Sequence, residues 1–342
     1  MTSATPAPTV LTGIQPTGVP TLGNLLGFFL PALGFQHTHT AYYFVVDHHA
    51  ITVRQDPAEL RANTHEIAAW YLAAGLDPAK ATLFVQSHVP AHVELGWILN
   101  TFTQMGELER MTQYKDKSVQ HAGKETGINV GLFGYPVLQA ADILLYHATE
   151  VPVGEDQRQH VELCRDIALR FNHSYGQPVL TVPKHSLPPH GARVRDLQDP
   201  TKKMSKSRPG LGCVLLTDDT AEVEKKFKRA VTDSDSGAEA IRYAPEEKPG
   251  VANLLEIIAA CRATTPQAVA EGLRGQQYGA LKAEAAAAVN AVLQPLQAAK
   301  AAWLHDRAQL DDVLQQGASR AAPVAAATLA RVKNTMGYLP AR

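Results

Sequence analysis

Short, almost continuously apolar runs alternate with helical patterns over the first two-thirds of the chain. The runs AYYFVVD at 41–47 and ATLFVQS at 81–87 lack apolar–polar alternation, which predicts strands buried on both faces of a parallel sheet. Between them, residues 56–78 carry apolar side chains at helical spacing, start beside an Asp-Pro pair and end at Gly75. This order predicts a doubly wound α/β sheet that binds its ligands at the carboxyl ends of the strands.

The pattern changes after about residue 213, where stretches rich in Ala, Leu, Glu and Lys replace the strands. Such stretches are typical of long helices. We therefore predict a disordered tail at 1–9, a Rossmann-like catalytic domain at 10–212 with an insertion at about 105–140, and an all-helical domain at 213–342. The tail lacks the basic and apolar segments of a secretion signal.

Composition sets broad limits on the function. A chain of 342 residues with 45% hydrophobic composition can bury a full core and allows two domains. Because the net charge is −1, a nucleic-acid partner would be bound by local basic patches rather than by a global field. The three cysteines lie far apart and are typical of reduced, mostly buried thiols: Cys164, Cys213 and Cys261. No apolar run is long enough to span a bilayer.

The segment GIQPTGVPTLGN at 13–24 predicts an anion-binding loop between a strand and a helix that opens at about Asn24. Gly18 and Gly23 allow the backbone to approach a ligand closely, because they carry no Cβ. The N-terminus of the helix adds free N–H groups and a positive dipole end. The loop matches neither common phosphate-binding glycine motif and contains no lysine.

The run TKKMSKS at 201–207 can supply the missing cations. Lys203 and Lys206 stand three residues apart beside two serines, and the following proline and glycines predict a loop. A loop with two ammonium groups and two hydroxyls is suited to hold a polyphosphate while negative charge develops on it. The alternative is a solvated basic loop without a ligand.

Together the two segments resemble the nucleotide-binding motifs of class I aminoacyl-tRNA synthetases. Further segments narrow the resemblance to the bacterial-type tryptophanyl-tRNA synthetases: GELERMTQYKDKS at 106–118, AADILLY at 140–146, VPVGEDQ at 151–157 and TDSDSGAEAIRY at 232–243. The resemblance extends from about residue 10 to the C-terminus. It implies a ligase that forms tryptophanyl-adenylate and pyrophosphate from L-tryptophan and ATP, then charges the 3′-terminal ribose of tRNA(Trp).

The resemblance also implies the partners and the location. It predicts ATP with Mg²⁺, L-tryptophan and tRNA(Trp) as ligands. It also predicts a cytoplasmic homodimer that holds no resident metal and binds neither a membrane nor DNA. In this family the helical part reads the anticodon, and the insertion helps to build the active site and the dimer interface. The basic patch KKFKRA at 225–230 is a candidate contact for tRNA phosphates, and a solvated helix face is the alternative.

Carboxylate attack on the α-phosphorus of ATP needs no covalent enzyme intermediate, so positioning and charge stabilisation suffice. The resemblance implies that the ATP-binding residues are Gln15, Pro16, Thr17, Gly23, Asn24, Gly154, Glu155, Asp156, Val194, Lys203, Met204, Ser205, Lys206 and Ser207. It implies that the catalytic residues are Lys203, Lys206, Lys117, Thr21 and Asn24. The lysines would spread positive charge over the departing pyrophosphate, together with Mg²⁺.

Asp142 is the first candidate for amino-acid recognition. A carboxylate in the apolar run AADILLY is costly to bury unless a group donates a hydrogen bond to it. The resemblance implies that Asp142 accepts the indole N–H; a helix cap or a structural ion pair is the alternative. The other implied tryptophan-binding residues are Tyr135, Gln157, His49, Val151, Val153 and Gln139. His49 could equally be a core histidine.

The sequence departs from the family pattern at several positions. Gln139 replaces a usual methionine and Leu11 replaces an aromatic residue, so the pocket is more polar and tyrosine remains an alternative substrate. Thr21 stands where most of the class has a histidine, which favours the tryptophan enzymes over the tyrosyl-tRNA synthetases. The segment 119–129 is longer than usual, and Arg208 replaces a common aspartate.

Two readings from other classes remain open. VVDHHA at 45–50 resembles the Asp-His-His motif of metal-dependent phosphoesterases, although their further aspartate clusters and glycine-rich segment are missing from the sequence. An auxiliary synthetase paralogue that binds another protein or senses free tryptophan is the other alternative.

Overall fold

The computed structural model describes residues 7–115, 129–154, 157–186, 193–205 and 210–340. The chain forms two compact units that do not follow chain order. The first comprises Met1–Thr17, Gly34–Pro188 and Trp303–Arg342, and the second comprises Gly18–Leu33 and Pro189–Ala302. The domain boundaries predicted from composition describe a division of function and stay a prediction.

Five parallel strands form the sheet of the first unit in the order β3-β2-β1-β4-β5. The strands are β1 Thr9–Ile14, β2 Thr40–Val45, β3 Thr82–Val85, β4 Glu150–Pro152 and β5 Lys184–Ser186. β1 begins inside the segment predicted as a tail. The strand order reverses at β1, which creates a topological switch point at its carboxyl end. The predicted doubly wound parallel fold is confirmed.

The helices follow the predicted alternation. They are α1 Leu22–Asn24, α2 Leu30–Leu33, α3 Asp47–Ala50, α4 Pro57–Ala73, α5 Ala91–Asn100, α6 Met105–Glu109, α7 Val130–Leu145, α8 Arg158–Tyr175, α9 Thr220–Lys228, α10 Pro249–Cys261, α11 Pro266–Gly272, α12 Tyr278–His305 and α13 Arg307–Met336. A π-helical turn, Leu25–Phe29, joins α1 to α2. α4 begins where predicted, because the Asp56 carboxylate accepts the N–H groups of Ala58 and Glu59. It ends before Gly75, whose φ of 102° turns the chain.

In the first unit, α13 lies directly against the edge strand β3. A Cβ added to Gly317 would lie 1.6 Å from the carbonyl oxygen of Leu83, so only glycine fits at this contact. Three residues further along, the Arg320 guanidinium donates to the carbonyl oxygens of Pro78, at 2.8 Å, and Ala81, at 3.1 Å. The helix therefore covers a sheet edge whose backbone groups would otherwise be open to another chain.

The second unit contains helices and isolated bridges, and no strand begins after Ser186 in the described part of the chain. Lys248, at the start of α10, is buried and pairs with Asp233 at 2.8 Å and Asp235 at 2.7 Å. This ion pair fixes the TDSDS segment against the helix. Within KKFKRA, Lys226 is buried and bonds to Asp218, so this lysine does not belong to the predicted basic surface.

None of the helices in the described ranges combines the length and the apolar character that crossing a membrane requires.

Candidate active site

In the first unit, α7 presents a line of polar side chains along one face. Tyr135, Gln139 and Asp142 stand four and three residues apart, a spacing that places them one above the other on a helix. Tyr135 and Asp142 are buried, and Gln139 is half-buried. The structure therefore brings together three of the residues predicted to bind the amino acid.

Asp142 is a buried carboxylate surrounded by hydrogen-bond donors. Its Oδ1 accepts from Gln86 Nε2 at 2.7 Å and lies 2.6 Å from His92 Nδ1. Its Oδ2 lies 2.8 Å from His49 Nε2. We call these four residues the Asp142 cluster. An ionised carboxylate only accepts hydrogen bonds, so each of the facing histidine nitrogens carries a proton.

The fold explains how these distant residues meet. His49 lies in α3, directly after β2, and Gln86 follows β3, so both stand at the carboxyl ends of neighbouring parallel strands. His92 is the second residue of the next helix, α5, which packs on α7, the helix that carries Asp142. The main-chain N–H of His48 donates to the Gln86 Oε1 at 3.2 Å, which turns the amide nitrogen of Gln86 toward Asp142.

The electrostatics keep Asp142 charged. Burial raises the pKa of its carboxyl group, but hydrogen bonds from His49 and His92 outweigh burial and lower it from 3.8 to about 2. Tyr146, one helical turn beyond Asp142, places its hydroxyl oxygen 2.8 Å from His92 Nε2. Burial, and next the nearby Asp142 charge, raise the pKa of Tyr146 well above its ordinary range, so this phenol stays neutral.

The remaining predicted tryptophan-binding residues lie on or next to α3, α7, α8 and β4. The Tyr135 hydroxyl lies 2.8 Å from His160 Nε2 on α8. Gln157 stands directly before α8, and its main-chain N–H donates to Gly154. Val151 is buried in β4, and Val153 is half-buried against the core of the first unit. His49 is a buried histidine that pairs with Asp142, and its predicted contact with tryptophan stays a prediction.

In the second unit, the N-terminal glycine loop and the lysine loop pack together. Leu22 N–H donates to Val214 at 2.8 Å, Leu216 N–H donates to Pro20 at 2.9 Å, and Thr21 forms an isolated bridge with Leu215. The segment after TKKMSKS is therefore fixed to the entry of α1. We call Gly18–Asn24 and Val194–Ser205 together the glycine–lysine face.

The start of α1 differs from the prediction. The helix begins at Leu22 rather than at about Asn24, because Thr21 and Asn24 form a capping box. The Thr21 hydroxyl lies 3.0 Å from Asn24 Oδ1 and accepts the Asn24 N–H at 3.2 Å. Its proton is used within this cap, and the catalytic role predicted for Thr21 stays a prediction. The Asn24 amide N–H groups remain as the side-chain donors of the cap.

The lysine run begins within a short antiparallel hairpin. Asp196 N–H donates to Lys202 at 2.9 Å, and Met204 N–H donates to Val194 at 3.2 Å. A Cβ on Gly212 would lie 2.0 Å from the Asp196 Oδ1, so glycine is required beside this turn. The hairpin presents Lys203 to solvent, whereas Met204 is buried and Ser205 is half-buried.

At Gly23, unlike at Gly212, the surrounding protein atoms leave room for a Cβ. A Cβ added to Gly23 would lie 3.6 Å from Cβ of both Met204 and Val194, an ordinary packing distance. The predicted ATP-binding residues Gly23, Val194 and Met204 therefore lie together, and a small space remains between them.

The other predicted residues fall into two groups. Gln15, Pro16 and Thr17 follow the carboxyl end of β1 in the first unit, where the Thr17 N–H donates to Gln15 at 2.9 Å. Five predicted residues lie outside the described residues: Lys117, Glu155, Asp156, Lys206 and Ser207.

The metal-dependent phosphoesterase alternative finds no support in the geometry. The Asp47 carboxylate accepts the N–H groups of His48, at 3.1 Å, and Ser87, at 3.0 Å, and thus stabilises a turn. His49 faces Asp142 instead. Within the described ranges, no group of three or more His, Cys, Asp or Glu side chains could hold a metal ion.

The family follows from comparison with known proteins. A sequence-family model described as tRNA synthetases class I (W and Y) matches residues 3–294, which is most of the chain. The chain belongs to this family.

The synthetase is similar to tryptophan enzymes along its whole length. It is 50% identical over 341 residues to tryptophan--tRNA ligase 2 of Streptomyces avermitilis, covering 99% of each protein. Crystal structures of tryptophanyl-tRNA synthetases give TM-scores of 0.87 for the Mycoplasma pneumoniae protein, at 36% identity, and 0.81 for the Campylobacter jejuni protein, at 32% identity. These alignments cover 97% and 96% of this chain, and 98% and 99% of the other chains. The Campylobacter structure is a complex with ADP and tryptophan. The family predicted from the motifs is confirmed.

Sequence reasoning missed Gln86, His92, Tyr146 and His160 in this synthetase. Gln86 carries a usable signal, since it is the first polar residue after a buried strand of a parallel sheet, where ligand-binding residues concentrate. The other three residues stand in or directly after helices and carry no comparable signal. Only the packing of α5 and α8 on α7 brings two of them to the site.

Proposed function

We propose that this synthetase is a tryptophan--tRNA ligase. It activates L-tryptophan with ATP to tryptophanyl-adenylate and pyrophosphate, then transfers tryptophan to the 3′-terminal ribose of tRNA(Trp). The buried Asp142 carboxylate and its donors carry the assignment of the amino acid. The ligands of the Campylobacter relative, ADP and tryptophan, support the same pair of substrates.

Asp142 recognises the indole N–H. A carboxylate has about four acceptor positions, and described residues fill three of them, two on Oδ1 and one on Oδ2. The remaining position on Oδ2 suits one further donor. A substrate that lacks this donor leaves a buried charge partly unsatisfied, which gives strong discrimination. Tyr135 and Gln157 orient the amino group, and Val151, Val153 and Gln139 contact the ring.

ATP binds to the glycine–lysine face. Gly23, Val194 and Met204 leave room at the start of α1. Lys203, Lys206 and Lys117 act on the pyrophosphate as negative charge develops, so they lower the barrier rather than only tightening ground-state binding. The ATP-binding roles predicted for Gln15, Pro16, Thr17, Gly154, Glu155 and Asp156 are part of this proposal.

Mg²⁺ enters with ATP as part of the substrate. The carboxylates next to the lysine loop are already engaged: Asp196 accepts the N–H groups of Gln198 and Asp199, and Asp199 pairs with Lys202 at 2.7 Å. These residues do not fit a protein-held magnesium site. The ion would offset charge on the phosphate oxygens, and the lysines do so from the protein side.

The helical region 213–342 binds tRNA(Trp) and reads its anticodon. In KKFKRA, Lys228 and Arg229 are exposed and are the candidates for phosphate contacts. Lys225 is exposed as well but pairs with Glu222 at 2.9 Å. We expect this activity to take place in the cytoplasm.

A second copy of the chain covers the apolar surface of α5, α6 and α7. Val93, Trp97, Met105 and Val130 are 44%, 71%, 65% and 84% exposed, and α5 and α6 both pack on α7. Large apolar side chains at such exposure mark an interaction surface. We expect a homodimer in sedimentation velocity and a shift to monomer for Trp97→Glu. A wild-type monomer at all concentrations would contradict the dimer.

Exchange of labelled pyrophosphate into ATP tests the function. We expect exchange with tryptophan and much less with tyrosine, followed by charging of tRNA(Trp). Preference for tyrosine would favour the tyrosyl alternative, and adenylate formation without charging of any tRNA would favour the auxiliary paralogue. No exchange with either amino acid would contradict the ligase. Asp142→Ala and Lys206→Ala serve as the matched impaired variants for the two substrates.

A further inference from the structure

Behind the carboxylate, the Asp142 cluster continues from His92 to Tyr146, whose role the proposed function leaves open. Tyr146 and His92 stand behind the carboxylate, with their facing atoms 2.8 Å apart, and both side chains are buried. Neither residue shares the carboxylate face that remains for a substrate. We propose that His92 and Tyr146 are positioning residues that set the specificity for the amino acid through Asp142; this inference rests on the proposed function.

The hydrogen bonds that link Asp142, His92 and Tyr146 indicate which ring nitrogen of His92 carries a proton. His92 Nδ1 faces a carboxylate oxygen at 2.6 Å, and this oxygen can only accept, so Nδ1 carries the proton. In the neutral ring the other nitrogen, Nε2, accepts from the Tyr146 hydroxyl, whose oxygen lies 2.8 Å away. The phenol thereby selects one tautomer of a neutral imidazole, in the way that a partner of the second ring nitrogen sets the tautomer of a histidine.

The surroundings of His92 support a fixed ring. Its centroid lies 5.8 Å from that of Phe44, 5.9 Å from Phe84 and 5.5 Å from Tyr146. His92 itself has no exposed surface. A ring enclosed on these sides cannot turn without repacking the aromatic residues, so its N–H stays directed at Asp142.

Donors from His92 and Gln86 occupy both positions of Oδ1, and His49 occupies one of Oδ2. The carboxylate then cannot rotate to satisfy a ligand that lacks a donor. It offers one acceptor position, which an indole N–H fills and a sulfur or oxygen atom in the same ring position does not. Selection therefore depends on how firmly His92 and Tyr146 hold Asp142.

Four variants separate positioning from folding. His92→Leu removes the donor to Asp142, whereas His92→Asn keeps one, because its side-chain amide replaces the Nδ1–H. Tyr146→Phe removes only the hydroxyl that sets the tautomer. Tyr42→Phe is the matched control, since its ring packs on that of Tyr146 with centroids 4.5 Å apart, but Tyr42 is outside the cluster.

The readout is pyrophosphate exchange with tryptophan and with its benzothiophene analogue, in which sulfur replaces the indole N–H. For His92→Leu we expect a KM for tryptophan about 10- to 100-fold higher and a preference over the analogue reduced by a similar factor. The KM for ATP should stay within about twofold. His92→Asn should recover most of the preference, Tyr146→Phe should lose about three- to tenfold, and Tyr42→Phe should match wild type.

Nitrogen-15 NMR of the histidines adds a signature that a purely structural role would not produce. We expect wild-type His92 to show a protonated Nδ1 and an unprotonated Nε2, and Tyr146→Phe to shift this tautomer balance. If His92→Leu does not fold, Tyr146→Phe carries the test. Wild-type KM and wild-type preference in Tyr146→Phe would overturn the inference. Failure of the wild-type protein to exchange with tryptophan would instead contradict the proposed function.

Discussion

The Asp142 cluster and the glycine–lysine face differ in burial and in the kind of hydrogen bond that builds them. Asp142 and its three partners are buried, and every contact is a side-chain hydrogen bond of 2.8 Å or less. The glycine–lysine face is built from main-chain hydrogen bonds, and it presents Lys203 to solvent. A buried, satisfied network selects one neutral ring, whereas exposed cations on a short hairpin can adjust as charge moves through a polyphosphate.

Asp142→Ala tests the buried cluster, and we expect the largest effect from it. It leaves the buried donors of Gln86, His92 and His49 without an acceptor, so kcat/KM for tryptophan should fall about 1,000-fold or more. Pyrophosphate exchange at varied tryptophan measures it, and the loss should lie mainly in KM. Glu162→Ala, which removes an exposed carboxylate from α8, is the control. A loss confined to the KM for ATP would contradict this assignment.

Lys206→Ala tests the opposite region. Removing one cation that acts on the departing pyrophosphate should lower the rate of activation about 100-fold and leave the KM for tryptophan unchanged. Lys202→Ala is the matched control, because Lys202 belongs to the same run but pairs with Asp199. Single-turnover formation of the adenylate separates the two effects. Equal losses in both variants would mean that the run acts only through its total charge.

Gly23 and Gly212, both in the second unit, separate a glycine that leaves space for a ligand from one that the packing requires. A Cβ fits at Gly23 but collides with Asp196 at Gly212. We therefore expect Gly23→Ala to raise the KM for ATP about tenfold with an unchanged melting temperature. Gly212→Ala should lower the free energy of unfolding by about 3 kcal/mol. Thermal melting and exchange kinetics on both variants measure this, and a destabilised Gly23→Ala would remove the argument that its space serves a ligand.

Acid titration isolates the charge of Asp142. Its pKa falls from 3.8 to about 2 on folding, so its contribution is fully present above about pH 4 and is lost as the pH falls toward 2. The shift corresponds to on the order of 2 kcal/mol. Urea unfolding between pH 5 and 2.5 should show this loss in wild type, and the additional slope should be missing from Asp142→Asn.

Two features make this acid test specific. His49 and His92 contact Asp142, and Tyr146, His48 and Cys164 interact with its charge. The comparison with Asp142→Asn keeps all of these groups. Asp312→Asn, at an exposed position, should leave the slope unchanged. An identical slope in wild type and Asp142→Asn would mean that Asp142 is not charged in the folded protein.

The same comparison explains what could be predicted from the sequence. β2 and β3 were predictable because strands buried in a parallel sheet are apolar on both faces, whereas the three-residue strands β4 and β5 were not predicted. The lysine loop was predictable because its chemistry lies in seven consecutive residues. Asp142 was predictable because a carboxylate in an apolar run needs a donor. The donors themselves were not, since Gln86 and His92 lie 56 and 50 positions from Asp142 and meet it only through the crossovers of the sheet.

Contacts between main-chain atoms were equally hidden. Nothing around Gly317 indicates that it touches the backbone of β3, and the capping box that moves the start of α1 to Leu22 competes with the ligand role predicted for Thr21. Local pattern fixes the type of an element, whereas its first residue depends on which side chains use their hydrogen bonds there.

The smallest expected effect concerns tRNA. Removing the exposed charges of Lys228 and Arg229 together should weaken tRNA(Trp) binding about two- to fivefold and lower the salt dependence by about two phosphate contacts. Filter binding at several salt concentrations measures both quantities. Lys80→Ala, at an exposed lysine of the first unit that pairs with Asp77, is the control. Since Lys226 is buried against Asp218, its substitution should lower stability instead of tRNA affinity. An unchanged salt slope in the double variant would leave the patch as a solvated helix face.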